Sequence, residues 1–536
     1  MLSEKEIEQL YWTISKEADE PENGGYTKYY THLKTVFQEA VKRNYIQSEN
    51  KNKMEIPAFS ENFIKSFLGN MQKITMRTLI FEMELCADCK ELKGDTDKEK
   101  YHDFADRLLL DPDYLKEIYR EYPLMYEDIL RYLTLSAKNI CEMLNRFETD
   151  IQEINLRFFK GNPCRNIVKI DGTNSDMHNG GSTVLILELD QGEKLIYKPR
   201  SLAMDEAYRK FLLWTCENID MPYWWNEVWN RGDYGWCGLV TSVSCKSDNE
   251  MKRYYERNGI LLCISYLLGS GDIHYENLIA HGEYPVVIDL ELAVGSRGEN
   301  IFSDEEVQRV FRESVLQTGI LPLYAWNEAG EGVNVGAMNG GGGQLLPLDI
   351  PVIVNAGTIR MHVEYRRPRL KEGKNLATLN GKFIQPTEFF SEIKGGFEKT
   401  YLFFEENKEE VKEKLGLFQG VRARYLVRQT QEYSLLFTTM HHPNFLTAKE
   451  ERSDLLCQKI CCGANPATKE SEWIHMQETR EIERGDIPYF WYDPYKPGLY
   501  CGDEVCRDYF LEPVIKEVFG RLKRLKQSDM ERQKKL

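Results

Sequence analysis

The densest polar cluster in the chain is Gly271-Asp272-Ile273-His274-Tyr275-Glu276-Asn277, in which Asp272 and Asn277 stand five residues apart. The same spacing separates the catalytic aspartate from the metal-binding asparagine in phosphoryl-transfer loops, where one takes a hydroxyl proton and the other holds magnesium. Further along, Val286-Val287-Ile288-Asp289-Leu290-Glu291 follows, and Pro285–Leu290 reads as the return strand of a hairpin. Residues 278–280 form the outgoing strand, and His281-Gly282-Glu283-Tyr284 form the turn. Antiparallel strands lie about 5 Å apart, so this hairpin brings Asp289 back beside Asn277. The two oxygen donors suit a shared Mg²⁺, a hard cation that takes one or two carboxylates and fills the rest with phosphate and water. Glu291, two residues past Asp289, falls on the same face of the expected strand.

A lysine that reaches nucleotide phosphates is the next requirement of such chemistry. Lys198 closes the strand Leu195-Ile196-Tyr197-Lys198, which follows the apolar run 184–189 and the turn Asp190-Gln191-Gly192-Glu193. Pro199-Arg200-Ser201 comes next, and apolar residues at helical steps (Leu202, Ala207, Phe211, Leu212, Trp214) predict a helix with Ser201 as its cap. Asp205 or Glu206 on that helix is the carboxylate expected to orient Lys198. Ahead of the hairpin lies Asp176-Met177-His178-Asn179-Gly180-Gly181-Ser182. Gly180 and Gly181 let backbone N–H groups approach a phosphate, although this is neither a Walker A loop nor a G-x-G-x-x-G. Asp176 and His178 are placed to face the transferred group.

The elements that must position these residues follow from periodicity. Residues 1–150 read as helical, with 114–122 and 127–147 the clearest segments and 90–100 a loop. The region 151–250 carries the hairpin and its helix. Residues 251–536 begin with an apolar helix over 251–268 and continue as a mixed, mostly helical region. The charged end from about residue 523 is expected to fray. At 536 residues and 42% hydrophobic composition, several domains with a substantial core are expected. Acidic residues outnumber basic ones, 85 to 69, and the net charge of −16 argues against a nucleic-acid partner. No apolar run is long enough to span a membrane and no secretory signal opens the chain, so a cytoplasmic location is expected. An odd count of 13 cysteines fits a reduced protein. Cys86-Ala-Asp-Cys89 has no second clean pair, so plain helix-surface cysteines are expected rather than a zinc site.

Taken together, several motifs resemble the N-terminal dehydratase domain of class II lanthipeptide synthetases, the LanM type. They are Asp176-x-His178-x-Gly180-Gly181, Tyr197-Lys198-Pro199-Arg200-Ser201, Asp272-x-His274-x-Glu276-Asn277 and Asp289-x-Glu291. Asn375-x-x-x-Leu379-Asn380-Gly381, Gly395-Gly396-Phe397-x-x-x-Tyr401, Arg424-x-Leu426-x-Arg428-x-Thr430 and Gly485-Asp486-Ile487-Pro488-Tyr489-Phe490 complete the set. They cover about residues 165–490, in family order.

The resemblance implies an α+β fold: a two-lobed core like that of lipid and protein kinases, with an N-terminal helical region and a helical C-terminal elaboration. It implies that ATP and Mg²⁺ serve to phosphorylate Ser or Thr of a ribosomally made precursor peptide. The same site then eliminates phosphate to leave dehydroalanine or dehydrobutyrine. The first step is carried over to Lys198, Asp272, His274, Asn277, Asp289 and Glu291, with Asn277 and Asp289 on the metal. Lys198, Gly180, Gly181, Glu291 and Arg428 are the expected nucleotide contacts. Elimination is carried over to Arg424 and Thr430, with Asp176 and His178 near the chemistry. Lys198 is a candidate base for the Cα proton, a role that requires it to shed its own charge first. Full-length members carry a zinc-dependent cyclase domain. This sequence ends at residue 536 without a Cys-His-Gly element, so thioether formation is not expected of this polypeptide and no zinc is expected here; an excised domain, a split enzyme with a separate LanC-like cyclase and a stand-alone modifier are the open alternatives. The competing readings are a peptide kinase that stops at phosphopeptide and a pseudokinase-like scaffold that binds the leader peptide.

Overall fold

Helix formation in the first 160 residues follows local signals that are easy to trace. Ser3 and Glu6 close a reciprocal capping box on the helix Glu4–Thr13, as Thr96 and Glu99 do on Asp97–Asp103. Asp111 caps Pro112–Glu121, and prolines occupy the first turns of that helix and of Pro123–Phe158, where no N–H is missed. The Thr96 box starts a helix inside the stretch expected to be a loop, which therefore shrinks to the residues between Cys89 and Thr96. In the 36-residue helix Pro123–Phe158 the buried positions Ile129, Leu133, Ala137, Ile140, Leu144 and Phe147 recur every three or four residues. Burying each larger apolar side chain of such a stripe contributes about 1.5–3 kcal/mol.

A computed structural model describes residues 1–14, 26–47, 55–160, 162–173, 178, 180–295, 305–326, 330–338, 342–346, 348–461 and 468–536. The chain makes two compact units and passes between them repeatedly. One comprises Met1–Pro199, Pro351–Arg366 and Gln429–Pro488, the other Arg200–Ile350, Arg367–Arg428 and Tyr489–Leu536. These units do not follow the expected boundaries at 150 and 250. Ala58–Phe59, inside the helical region, pairs in parallel with Lys169 and Ile170, so helices and sheet share one body. The helix Asp248–Leu268 runs straight through position 250.

In the first unit, Ile167–Gly172, Leu185–Leu189 and Lys194–Lys198 form an antiparallel sheet, as the hairpin signal predicts. Gly192 turns it with φ +83°, which a side-chain-bearing residue rarely adopts. The helices of Gln429–Pro488 bury their own cluster of Tyr433, Met440, Leu455, Leu456, Ile460, Ile482 and Ile487. Cys86 is buried with its Sγ 3.2 Å from the Tyr114 hydroxyl, not on the helix surface as expected, while Cys89 is exposed at the helix end.

The second unit is built around Asp248–Leu268, against which the helix Phe390–Glu406 packs at two glycines. A Cβ on Gly259 would land on the Ile393 carbonyl oxygen, and one on Gly396 would land on that of Glu256. Backbone meets backbone there, so neither neighbour can swing away. Gly396→Ala is therefore expected to lower stability by about 3 kcal/mol, at the top of the usual overpacking range. Gly395→Ala, where a Cβ meets nothing within 4 Å, should be neutral or slightly stabilising. Urea unfolding of the two variants checks this, and equal midpoints would refute it.

The region after residue 300 is less helical than expected. Ala423–Tyr425, Phe490–Tyr492, Leu499–Cys501 and Glu504–Cys506 form a four-stranded antiparallel sheet of three-residue strands, too short to leave a periodic signal. The chain end does not fray either. The helix Gln527–Gln533 buries Met530, and the Tyr266 and Tyr401 hydroxyls both donate to Asp529 Oδ2 at 2.8 Å.

Candidate active site

The loop that carries Asp272 is clamped on both sides. The helix Asp248–Leu268 stops at Gly269, whose left-handed backbone caps it. Gly271 N–H then donates to Leu292 O (3.1 Å), Ile273 N–H to Thr318 O (3.1 Å) and Tyr275 N–H to Val335 O (3.0 Å). Between these anchors Asp272 takes φ +62°, which costs a residue with a Cβ about 1–2 kcal/mol. Strain of this kind, held by surrounding bonds, is a mark of functional loops. Asn277 Nδ2 donates to Asp272 O at 2.8 Å and lies 3.2 Å from His274 Nε2, so the five-residue spacing closes the loop upon itself. His274 Nδ1 accepts from Glu276 N–H (3.2 Å), and its Nε2 is 3.6 Å from Asp272 Oδ1.

Asn277 and Asp289 approach through the hairpin, with Ile288 N–H bonded to Asn277 O at 2.9 Å. The strands are Leu278–His281 and Tyr284–Val287, and the turn is Gly282-Glu283. The strand ends at Val287 because the chain bends away beyond Ile288. Asp289 and Glu291 therefore do not share a strand face; they sit in the irregular segment that follows. Glu291 N–H returns to Asp289 Oδ1 at 3.2 Å.

Arg200 is the hub of this segment. Its Nη1 bonds Asp205 Oδ2 at 2.8 Å, its Nη2 reaches Asp289 Oδ1 at 3.3 Å, and its Nε meets Glu291 Oε1 at 2.5 Å. The other oxygen of Glu291 accepts from Arg424 Nη1 at 3.1 Å, and Arg424 N–H donates to Glu291 O at 2.8 Å. Arg424 also lies 5.4 Å over the ring of Tyr489. Glu291, expected to contact nucleotide, thus has both carboxylate oxygens on guanidinium groups. Asp205, expected to orient Lys198, pairs with Arg200. The expected cap of the helix Ala203–Asn218 also shifts: Leu202 is the cap residue, its N–H taken by Asn230 Oδ1, and Ser201 Oγ accepts only a 3.4 Å bond from Ala203.

These surroundings set the charges. Burial alone would lower the Arg200 pKa, but Asp205, Glu291 and Asp289 outweigh it and hold the guanidinium firmly charged. Arg424 behaves the same way: burial opposes its charge, and Glu291, Tyr489, Asp289 and Asp272 override that opposition. The protein groups crowded around Asp272, whose side chain is half exposed, push its carboxyl above the ordinary range by desolvation. His274 pulls it back, Asp289 raises it, Arg424 lowers it and Glu291 raises it again.

The second unit thus brings together Asp272, His274, Asn277, Asp289, Glu291 and Arg424. Arg428 is half-buried just past the strand Ala423–Tyr425. Lys198, His178, Gly180, Gly181 and Thr430 belong to the first unit, where Lys198 is buried at its strand end and Thr430 opens the helix Thr430–Met440. Asp176 lies outside the described residues. Gly180 and Gly181, with φ +83° and +73°, do form a concave pair of N–H donors. Their acceptor is the chain's own Asp486, at 2.6 and 2.7 Å, and not the phosphate expected there. Burial raises the Asp486 carboxyl, and the two glycine bonds counteract that. His178 Nδ1 lies 2.9 Å from Ile487 O, which fixes Nδ1–H as the donor. Arg200, Asp486 and Tyr489 received no role in the sequence reading. All three stand inside quoted motifs, but a single sequence does not show which carboxylate a guanidinium meets. Among the described residues no three His, Cys, Asp or Glu side chains form a ready metal cluster, and no helix is long and apolar enough to cross a membrane.

Residues 122–493 match a family model described as Domain of unknown function (DUF4135), well over half the chain, and the protein belongs to that family. The chain is also similar to the Lacticin 481/lactococcin biosynthesis protein LcnDR2 of Lactococcus lactis subsp. lactis. The identity is 27% over 426 residues, 74% of this chain and 44% of that protein, so the chain spans less than half of its relative's length. Both findings bear out the resemblance to LanM-type lanthipeptide synthetases.

Proposed function

We propose that the chain is a lanthipeptide-modifying enzyme with a kinase-like catalytic core, which dehydrates Ser and Thr of a precursor peptide in two steps. One observation carries the reading: residues as far apart in sequence as Arg200 and Arg424, with Asp272 beside them, form one carboxylate–guanidinium cluster. In the first step Asp272 accepts the proton of the substrate hydroxyl while that hydroxyl's oxygen bonds the γ-phosphorus of ATP, and ADP leaves. In the second a base takes the Cα proton, the Cβ–O bond breaks, and inorganic phosphate departs with the bonding pair. Arg424 suits that departing dianion, since it is charged and held from behind by Glu291. Arg428 keeps the nucleotide contact the resemblance gives it; the roles of Lys198, His178 and Thr430 rest on the resemblance alone, and Gly180 and Gly181 lose theirs because Asp486 takes their N–H groups.

The donor set fits Mg²⁺. Asn277 and Asp289 offer hard oxygens, and four carboxylates (Asp205, Asp272, Asp289, Glu291) against two guanidinium groups leave a net charge of about −2. The ion, when bound, would neutralise charge on the transferring phosphoryl group.

Incubation with ATP, Mg²⁺ and the Ser/Thr-rich peptide encoded beside the gene tests the reading by mass spectrometry. A transient gain of one phosphoryl group should give way to the loss of one water per modified residue. Phosphopeptide that never converts would leave a peptide kinase. Tight peptide binding without ATP consumption would leave a leader-binding scaffold and defeat the proposal.

A further inference from the structure

The cluster described above has a centre that none of the roles so far explains. Arg200 directs its hydrogen bonds and ion pairs to Ser201 O, Asp205, Asp289 and Glu291, and not to Asp272. Its three nitrogens nevertheless fall on three different carboxylates, at 2.5–3.3 Å, and its side chain is only 13% exposed. A planar guanidinium with a fixed fork of donors can hold three acceptors in one arrangement, whereas an ammonium is a point charge without that geometry. Its first partner, Asp205, is 7% exposed and sits in the first turn of the helix Ala203–Asn218, so it anchors Arg200 to a rigid element. Its second partner, Asp289, is 44% exposed and is the expected metal ligand. Its third, Glu291, passes the constraint on to Arg424 Nη1.

We infer that Arg200 is the positioning residue of this site. Through Asp289 it fixes the carboxylate offered to the metal, and through Glu291 it fixes the guanidinium offered to the departing phosphate. The assignment rests on the functional reading above. It adds that one buried arginine sets the geometry of both steps, so its loss should impair both, unlike the loss of Arg424. A residue that only stabilised the fold would change the unfolding midpoint and leave metal affinity unmoved.

The test uses the full chain and Mn²⁺ with the non-hydrolysable analogue AMP-PNP, titrated by electron paramagnetic resonance. Arg200→Lys keeps the charge but not the fork. It should bind Mn²⁺ about 10–100-fold more weakly, the usual cost of losing a partner behind a metal ligand. With the precursor peptide it should slow phosphorylation and elimination together, with an unchanged KM for the peptide. Asp205→Asn, one step further from the metal, should shift Mn²⁺ affinity in the same direction by less. If Arg200→Lys fails to unfold cooperatively, Asp205→Asn decides. Wild-type affinity and rates in the folded variants would overturn the positioning role alone. A wild-type chain that binds no Mn²⁺ and modifies no peptide would overturn the functional reading and this assignment with it.

Discussion

Asp272→Asn should abolish phosphopeptide and dehydrated peptide alike, whereas Arg424→Ala should let phosphopeptide accumulate. The asymmetry follows from where each side chain stands. Asp272 is the acid whose loop is clamped at Gly271, Ile273 and Tyr275, and an amide there keeps the shape but takes no proton. Losing a positioned general base costs about 10²–10⁴-fold in rate, and nothing downstream can form without the first product. Arg424 contacts Glu291 and Tyr489 and belongs to the second step in the reading adopted here. Removing it leaves Glu291 still bonded to Arg200, so the first-step carboxylates stay in place. A loss of about 10²–10³-fold confined to elimination is expected, the scale of removing one charged stabiliser from a site. In the metal-free chain the Asp272 carboxyl should titrate above the range of an ordinary aspartate, and NMR titration without metal checks this. Time-resolved mass spectrometry of the two variants checks the division of labour. Equal loss of both species in both variants would contradict it.

The parts of this arrangement that were legible in the sequence are those with a short-range signature. The hairpin of Leu185–Leu189 and Lys194–Lys198 announced itself by alternation around Gly192, and the Asp272 loop by polar density after an apolar helix. The helix Pro123–Phe158 was visible from its stripe, although it runs past the segment first marked. What stayed hidden depends on long-range pairing. Ala58–Phe59 is a strand only because Lys169 and Ile170 lie beside it, and no two-residue pattern can declare that. The three-residue strands around Arg424 are short for the same reason. Arg200 stands in the Tyr197–Ser201 motif, but no local pattern assigns it a role, since its partners at positions 205, 289 and 291 are assembled by the fold. The glycine pair 180–181 suggests contacts to a phosphate, but its N–H groups are taken by Asp486, some 300 residues on, a partner that only the fold brings there.

The segment that carries both Thr430 and Asp486 depends on a buried acid that lies well before it in sequence. Asp128, on the helix Pro123–Phe158, bonds Arg452 Nη2 at 2.9 Å and Arg131 Nη1 at 3.0 Å and lies 3.5 Å from His441 Nε2. Arg131 continues to Glu483 O at 2.7 Å, so both ends of the segment's helices are tied to the long helix. Burial alone would raise the Asp128 carboxyl; the His441 hydrogen bond and the charges of Arg452, His441 and Arg131 reverse this and bring it down to about 2. A folded-state pKa below the unfolded value means stability that is present above the unfolded pKa. It is lost as pH falls from about 4 towards 2, and it amounts to about 2–3 kcal/mol. Asp128→Asn keeps the volume but leaves Arg452, itself 8% exposed, without its counter-charge. Breaking a buried pair in this way costs about 3–5 kcal/mol near neutral pH. The gap between wild type and variant in urea unfolding should therefore be wide at pH 7 and narrow steadily below pH 4, as the wild-type carboxyl also loses its charge. Hydrogen exchange at pH 7 should show the loss first in the helices from Thr430 to Glu483, because these are the elements Asp128 holds. A gap that keeps the same width across that range would mean that Asp128 acts by packing and not by charge.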